Sequence, residues 1–197
     1  MTLQADHVLE MFRSSGALLE GHFRLTSGLH SAQYFQCAKV LQYPAYCEAL
    51  CGAIAARFRP AAIDAVIAPA LGGIVVGQEV GRQLKCRTMF TERSEGLMQL
   101  RRGFAIAPGE RILVCEDVVT TGGSVNEVIE IVRRAGARVE GAAYIVDRSG
   151  GSVTFPVEPG GGQFAVMTLK VVTHQPDACP LCREGIPVVK PGSRGNA

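Results

Sequence analysis

Apolar residues repeat at roughly helical spacing over residues 3–20 (LQADHVLEMFRSSGALLE), with Val8, Leu9, Met11, Phe12 and Leu18 as the repeat, Asp6 as an N-terminal acid and Gly16 and Gly21 as breaks. That pattern predicts a short helical, hood-like start. Residues 22–41 (HFRLTSGLHSAQYFQCAKVL) alternate instead, and Thr26-Ser27-Gly28 is a turn signal between the stretches around Phe23 and Tyr34-Phe35, so a β-hairpin is expected. After Pro44, residues 45–58 return to helical periodicity. From Ile63 the pattern becomes repeated units of apolar strand, glycine-bearing turn and amphipathic helix. They run as IDAVIAP, ALGG and IVVGQEVGRQLK, then CRTMF, then RILVCED, VVTTGGS and a helix with Val125, Val128, Ile129 and Val132 at i, i+3, i+4 and i+7, closed by Gly136, then VEGAAYIVDRS. This is the sequence form of an α/β fold, a twisted, mainly parallel sheet flanked by helices. Ligands of such sheets bind beyond the carboxyl ends of the strands, which directs attention to residues 69–74, 91–103, 116–124 and 147–150.

The remaining segments are less regular. Residues 91–110 (TERSEGLMQLRRGFAIAPGE) form a long polar connection, and residues 150–163 (GGSVTFPVEPGGGQ) read as a surface hairpin or loop. The expected organisation is one domain over 1–173, with a hood mainly in 1–42 and a core mainly in 45–173. Residues 174–197 form a C-terminal tail too poor in apolar residues for a core of its own and ending in disorder.

Composition narrows the functional classes. The chain has 197 residues, 47% hydrophobic and 19% charged, which excludes disorder, collagen-like repetition and a coiled coil. No apolar run approaches the roughly 18 residues of a membrane span, and Met1–Leu9 lacks the basic and apolar regions of a signal peptide, so a cytoplasmic protein without a membrane partner is expected. A net charge of +2 is too weak a bias for nucleic acid, and the absence of Trp argues against stacking platforms. Seven cysteines, an odd number set mostly in apolar or mixed segments, fit a reducing compartment.

The most informative segment is Arg111-Ile-Leu-Val-Cys-Glu116-Asp117-Val118-Val119-Thr120-Thr121-Gly122-Gly123-Ser124. Hydroxyl residues and glycines opening a helix let backbone N–H groups converge on an anion, aided by the helix dipole, so Thr120–Ser124 is a candidate monophosphate cradle. No lysine follows the glycines and no G-x-G-x-x-G occurs, which excludes a Walker loop and a dinucleotide fingerprint. Glu116 and Asp117 would repel a phosphate. Sugar hydroxyls, which donate hydrogen bonds to carboxylates, are their fitting partners. Phosphate plus diol means a ribose 5-phosphate.

On these residues the segment resembles the phosphoribosyl-diphosphate motif of the type I phosphoribosyltransferases, and the chain as a whole resembles the orotate-using branch of that family. The resemblance spans residues ~10–150, with motifs in family order. It implies the type I phosphoribosyltransferase fold with an N-terminal hood, transfer of a phosphoribosyl group from 5-phosphoribosyl 1-diphosphate to orotate, Mg²⁺ bound mainly through the diphosphate substrate with no protein ligand assigned to it, and a homodimer with shared active sites. For the diphosphate substrate it implies Glu116, Asp117, Val118, Val119, Thr120, Thr121, Gly122, Gly123 and Ser124, a loop of Ala70, Leu71 and Gly72 at the end of the first core strand, and Arg93. For orotate it implies Thr26, Tyr34, Phe35, Thr120 and Arg148, the last as a bidentate partner for the carboxylate. The expected catalytic residues are Asp117 with Arg93, Arg101 and Arg102, three arginines on a connection that acts as a lid. Residues 88–104 contain neither Lys nor His, the residue types common in that loop among relatives, and Leu29 and Ala32 stand where Arg and Pro are common. A transferase for another nucleobase and a non-catalytic ligand binder on the same fold remain alternatives.

Cys179-Pro-Leu-Cys182 has the spacing of half a zinc site, with His174 nearby and Cys37, Cys47, Cys51 and Cys86 elsewhere. A second C-x-x-C pair is missing, and a pair of thiols in a docked tail is the expectation.

Overall fold

The apolar runs that end at Pro69, Val119 and Asp147 lie side by side at the centre of a six-stranded sheet. In the computed structural model, which describes residues 3–25, 27–169 and 171–191, the chain order is α1 (Ala5–Ser14), β1 (Leu18–Arg24), β2 (His30–Phe35), α2 (Cys37–Leu41), α3 (Pro44–Phe58), β3 (Ala65–Pro69) and α4 (Gly72–Leu84). It continues with β4 (Arg87–Ser94), β5 (Leu97–Leu100), β6 (Arg111–Val119), α5 (Gly123–Arg134), β7 (Arg138–Asp147), β8 (Gly162–Thr168), β9 (Thr173–His174) and α6 (Pro180–Arg183). The large sheet has the order β5-β4-β3-β6-β7-β8, parallel except for β5. Every residue of β3 is buried, as expected of a parallel strand covered on both faces.

One face carries a core in which Leu50 and Ile54 of α3 and Val76 and Val80 of α4 meet Val66, Leu113 and Ile145, and this core continues into Val8 and Phe12 of α1. The other face is covered by α5, whose Val125, Val128, Ile129 and Val132 pack on Ile67, Val114 and Tyr144. Each large aliphatic side chain fully buried in this way contributes about 1.5–3 kcal/mol.

The hood differs in detail from the sequence expectation. α1 stops at Ser14 because Gly16 N–H returns to the Arg13 carbonyl at 3.0 Å and Ala17 N–H to that of Phe12 at 2.8 Å, a Schellman closure. Leu18, expected in the helix, starts β1 instead. β1 and β2 form the expected antiparallel hairpin, with a bulge between Glu20 and Phe23. The tail joins this sheet. β9 pairs with β2 through His30 and His174, and Val189 exchanges backbone hydrogen bonds with the other edge, from Arg24 N–H at 2.9 Å and to the His22 carbonyl at 2.8 Å. Main-chain bonds of this kind do not depend on side-chain hydropathy, so the polar composition of the tail conceals them. The expectation of a disordered end concerns residues 192–197, outside the described residues.

Residues 91–100, expected as part of a loop, extend β4 to Ser94 and return as β5, with Arg93 opposite Met98. Glu95 (φ 52°) and Gly96 (φ 81°) form the two-residue turn, whose paired positive φ values suit a hairpin of right-handed twist. β8 was also not expected. It is a parallel edge strand reached from β7 through a helix-free connection over 148–161, in which Phe155 is buried against Tyr144.

Candidate functional site

β6 carries the acid pair to the carboxyl end of the sheet, where Glu116 and residues 118–125 line a cleft of about 70 Å³. α5 begins at its edge. Its cap is Gly122, with no side-chain cap and no acid in the first turn, so the helix presents its free N–H groups and positive dipole end to the cleft. Gly122 has φ 76°, and a Cβ there would lie 2.7 Å from Val153 and 2.8 Å from Phe155. The connection after β7 thus presses on the cradle, and only glycine leaves room for it.

Glu116 is 8% exposed, and burial, with the adjacent Asp117 charge, pushes its carboxyl up to about 9. It is therefore protonated at neutral pH and able to donate as well as accept hydrogen bonds. Asp117 accepts from the N–H of Val118 at 2.8 Å, which orients its carboxylate. A protonated Glu116 suits a sugar hydroxyl that must be both donor and acceptor.

The loop after β3 lies against this pair. Ala70 donates its N–H to the Thr91 carbonyl at 2.7 Å, the Ala70–Leu71 peptide is cis, and Leu71 is 83% exposed. A Cβ on Gly72 would lie 2.6 Å from the Asp117 Cγ, and one on Gly73 would lie 3.0 Å from a Glu116 oxygen. These glycines make room for the carboxyl groups as well as for an approaching ligand.

Arg148, at the end of β7, is held by its N–H to the Val119 carbonyl at 2.8 Å, while Asp147 folds the following turn by accepting from Ser149 N–H at 2.7 Å and Gly151 N–H at 2.8 Å. Burial lowers the pKa of Arg148, opposed by its neighbours Tyr34 and Cys37. Among the described residues, two buried side-chain polar atoms lack a hydrogen-bond partner, Arg148 Nε and Thr91 Oγ1, and both belong to the carboxyl edge of the sheet. An unpartnered buried donor of this kind is costly unless a ligand engages it.

Tyr34 lies within electrostatic range of Arg148, and its ring packs on that of Phe23 at 5.9 Å between centroids. Strand alternation turns Phe35 into the core, 5% exposed and edge-on to Phe12 at 6.2 Å, which corrects its assignment as a stacking partner for the base. Thr26 lies outside the described residues. Cys37, which sequence reasoning left unassigned, sits beneath the site with its Sγ 3.8 Å from the Asp117 carbonyl; burial first, then the Asp117 charge, pushes its thiol well up, making it an inert packing group.

The three arginines lie on the β4–β5 hairpin and its exit rather than in a free loop. Arg93 bonds Glu127 at 2.8 Å, while Arg101 and Arg102 share Glu92 at 3.3 and 2.9 Å. None lines the cleft of its own chain. These exposed pairs are weak, of order 1 kcal/mol or less, and exchange readily for a stronger anion.

Residues 39–154 match the phosphoribosyl transferase domain family. The chain is 60% identical to the orotate phosphoribosyltransferase of Chlorobaculum parvum over 98% of its own length and 97% of the relative's, and 56% identical to that of Pelotomaculum thermopropionicum over 96% and 97%. The chain belongs to the orotate phosphoribosyltransferases. The crystal structure of the Aeropyrum pernix orotate phosphoribosyltransferase superposes with a TM-score of 0.68 at 25% identity, covering 83% of this chain and 94% of that one. An adenine phosphoribosyltransferase from Rhodothermus marinus reaches 0.67 at 20% identity over 83% and 99%. The fold is therefore shared across acceptor bases, and the full-length identity to orotate phosphoribosyltransferases sets this chain within their branch.

Proposed function

We propose that the chain transfers the phosphoribosyl group of 5-phosphoribosyl 1-diphosphate to orotate, releasing orotidine 5′-monophosphate and diphosphate, as a pentosyltransferase of pyrimidine biosynthesis. The observation that carries the choice of acceptor is the buried, unpartnered Nε of Arg148: an anionic base would give the guanidinium its missing partner. The uncapped start of α5 over Thr120–Ser124 takes the 5-phosphate, Glu116 and Asp117 hold the ribose hydroxyls, and Ala70–Gly73 meets the leaving diphosphate through main-chain amides.

Displacement at the anomeric carbon forms the bond from the orotate ring nitrogen and breaks the bond to the diphosphate oxygen. Positive charge builds on the sugar and negative charge on the leaving group. The chain's contribution is then to fix the two reactants in line, to exclude water and to neutralise the diphosphate, with no protein base required because the orotate ring nitrogen is already acidic. Family members generally use Mg²⁺ with the diphosphate substrate. The Thr120, Thr121 and Ser124 hydroxyls at the cleft, with the carboxylate of the adjoining Asp117, are oxygen donors that fit this hard cation, which would supply charge neutralisation on the diphosphate.

Arg93, Arg101 and Arg102, exposed and held only by surface ion pairs, support a homodimer in which the hairpin of one subunit serves the diphosphate of the other. Among the described residues no helix is long and apolar enough to cross a membrane, and the seven cysteines are free thiols, which supports a reducing location such as the cytoplasm.

The test is to mix the protein with orotate, 5-phosphoribosyl 1-diphosphate and Mg²⁺ and follow orotate absorbance, with adenine and uracil as competing acceptors. Turnover of orotate alone is expected. Turnover of adenine would favour the second reading suggested by the adenine phosphoribosyltransferase fold match, and binding without turnover would favour a ligand-binding role.

A further inference from the structure

The hood and the tail bring together four side chains that the transfer reaction does not use. His22 of β1, His30 of β2, and Cys179 and Cys182 of the tail each direct one ligand atom to a common point, all within 4.8 Å of one another. We propose that these four residues form a structural zinc site that clamps the C-terminal tail onto the hood.

The separations fit tetrahedral coordination. Bond lengths of about 2.0–2.1 Å to nitrogen and about 2.3 Å to sulfur put neighbouring ligand atoms ~3.3 Å (N to N), ~3.6 Å (S to N) and ~3.8 Å (S to S) apart. Observed are 3.6 Å from Cys179 Sγ to His22 Nε2, 3.7 Å from Cys182 Sγ to the same nitrogen, 3.3 Å from Cys182 Sγ to His30 Nδ1, and 2.9 Å between the two nitrogens. The His22 tautomer is fixed from outside. Its Nδ1 lies 2.7 Å from the Ile186 carbonyl, which can only accept, so Nδ1 carries the proton and Nε2 keeps a lone pair for a metal. His22, His30 and Cys179 are buried at 3%, 6% and 0% exposure, and the cluster holds no carboxylate. Two thiolates balance a divalent cation, so the loaded site is neutral and suits burial, and soft sulfur with imidazole selects zinc over Mg²⁺.

His174, the histidine nearest to the C-x-x-C pair in sequence, is not a member; its strand instead pairs with the one carrying His30. A function for the site follows from the weakness of the tail's other attachments. Val172, Ile186, Val188 and Val189 remain 40–63% exposed, so apolar burial does little to hold the segment. Metal binding supplies the missing attachment.

The site is tested on the full chain, reduced, stripped of metal with a chelator and titrated with Co²⁺ and then Zn²⁺. Uptake of one Co²⁺ per chain is expected, with the absorption of tetrahedral thiolate-bound cobalt, bleached by one equivalent of Zn²⁺. Zinc should also protect the tail from limited proteolysis. Cys182→Ser, at an exposed position, should weaken Zn²⁺ binding by more than the roughly 10–100-fold that loss of an outer-shell partner costs, while Cys86→Ser leaves it unchanged. Failure of the reduced protein to take up stoichiometric metal, or uptake unaffected by Cys182→Ser, would overturn the proposal. Neither readout depends on the identity of the acceptor base.

Discussion

Gly72 leaves room that Asp117 fills: a single methyl on the glycine would lie 2.6 Å from the carboxylate carbon, with one carboxylate oxygen closer still and the other at 3.0 Å. The loop of one strand and the acid of its neighbour are thereby locked in register. Gly72→Ala should displace Asp117 while leaving the hydrophobic cores intact. A displacement of about 1 Å is worth ~100-fold in rate, and kcat should fall by at least that factor while the circular dichroism spectrum is unchanged. Steady-state kinetics with both substrates saturating would check this, and activity within a few-fold of the parent chain would remove Asp117 from the reaction.

Glu116 makes stability pH-dependent. Its carboxyl is raised from 4.5 to about 9 by burial, so the ligand-free native state keeps a proton that the unfolded chain releases. The stabilising contribution is complete below pH 4.5 and is lost progressively as the pH climbs toward 9. Glu116→Gln abolishes that titration. Melting temperatures of the two proteins, measured from about pH 5 to about pH 9, should diverge in favour of the variant as the pH rises. Parallel curves would mean that Glu116 is already ionised in the fold.

For Arg148 the signature is selectivity. Arg148→Ala should cost about 2–5 kcal/mol in orotate recognition, seen as a raised KM or a lowered kcat/KM for orotate. Calorimetric affinity for 5-phosphoribosyl 1-diphosphate should stay nearly constant, because in the proposed function Thr120–Ser124 binds that ligand independently. Equal damage to both ligands would indicate general disruption of the β7 end.

The hairpin arginines test assembly. An Arg101→Ala/Arg102→Ala chain and a Glu116→Gln/Asp117→Asn chain should each be nearly inactive, and their mixture should regain part of the activity through hybrid sites. Lack of recovery in demonstrably mixed dimers would confine the arginines to their own chain.

Much of the carboxyl end of the sheet was legible in the sequence. The continuous apolar runs of β3, β6 and β7 and the hydroxyl-glycine turn at Thr120–Ser124 carry their meaning locally, because burial on both faces and a free helix N-terminus are properties of a few consecutive residues. Tertiary structure decided what depends on partners elsewhere. Phe35 is a core residue because Phe12 waits on that face, while alternation turns Tyr34 to the other, where its ring packs on Phe23. The arginines are quenched because Glu92 and Glu127 lie within reach once residues 91–100 pair as a hairpin. Glu116 titrates as it does because α/β packing buries it next to Asp117. The cysteine pair at 179 and 182 looked like half a site because its other half, His22 and His30, is more than 140 residues away in the chain, and only closure of that long loop by the hood–tail contacts makes them neighbours.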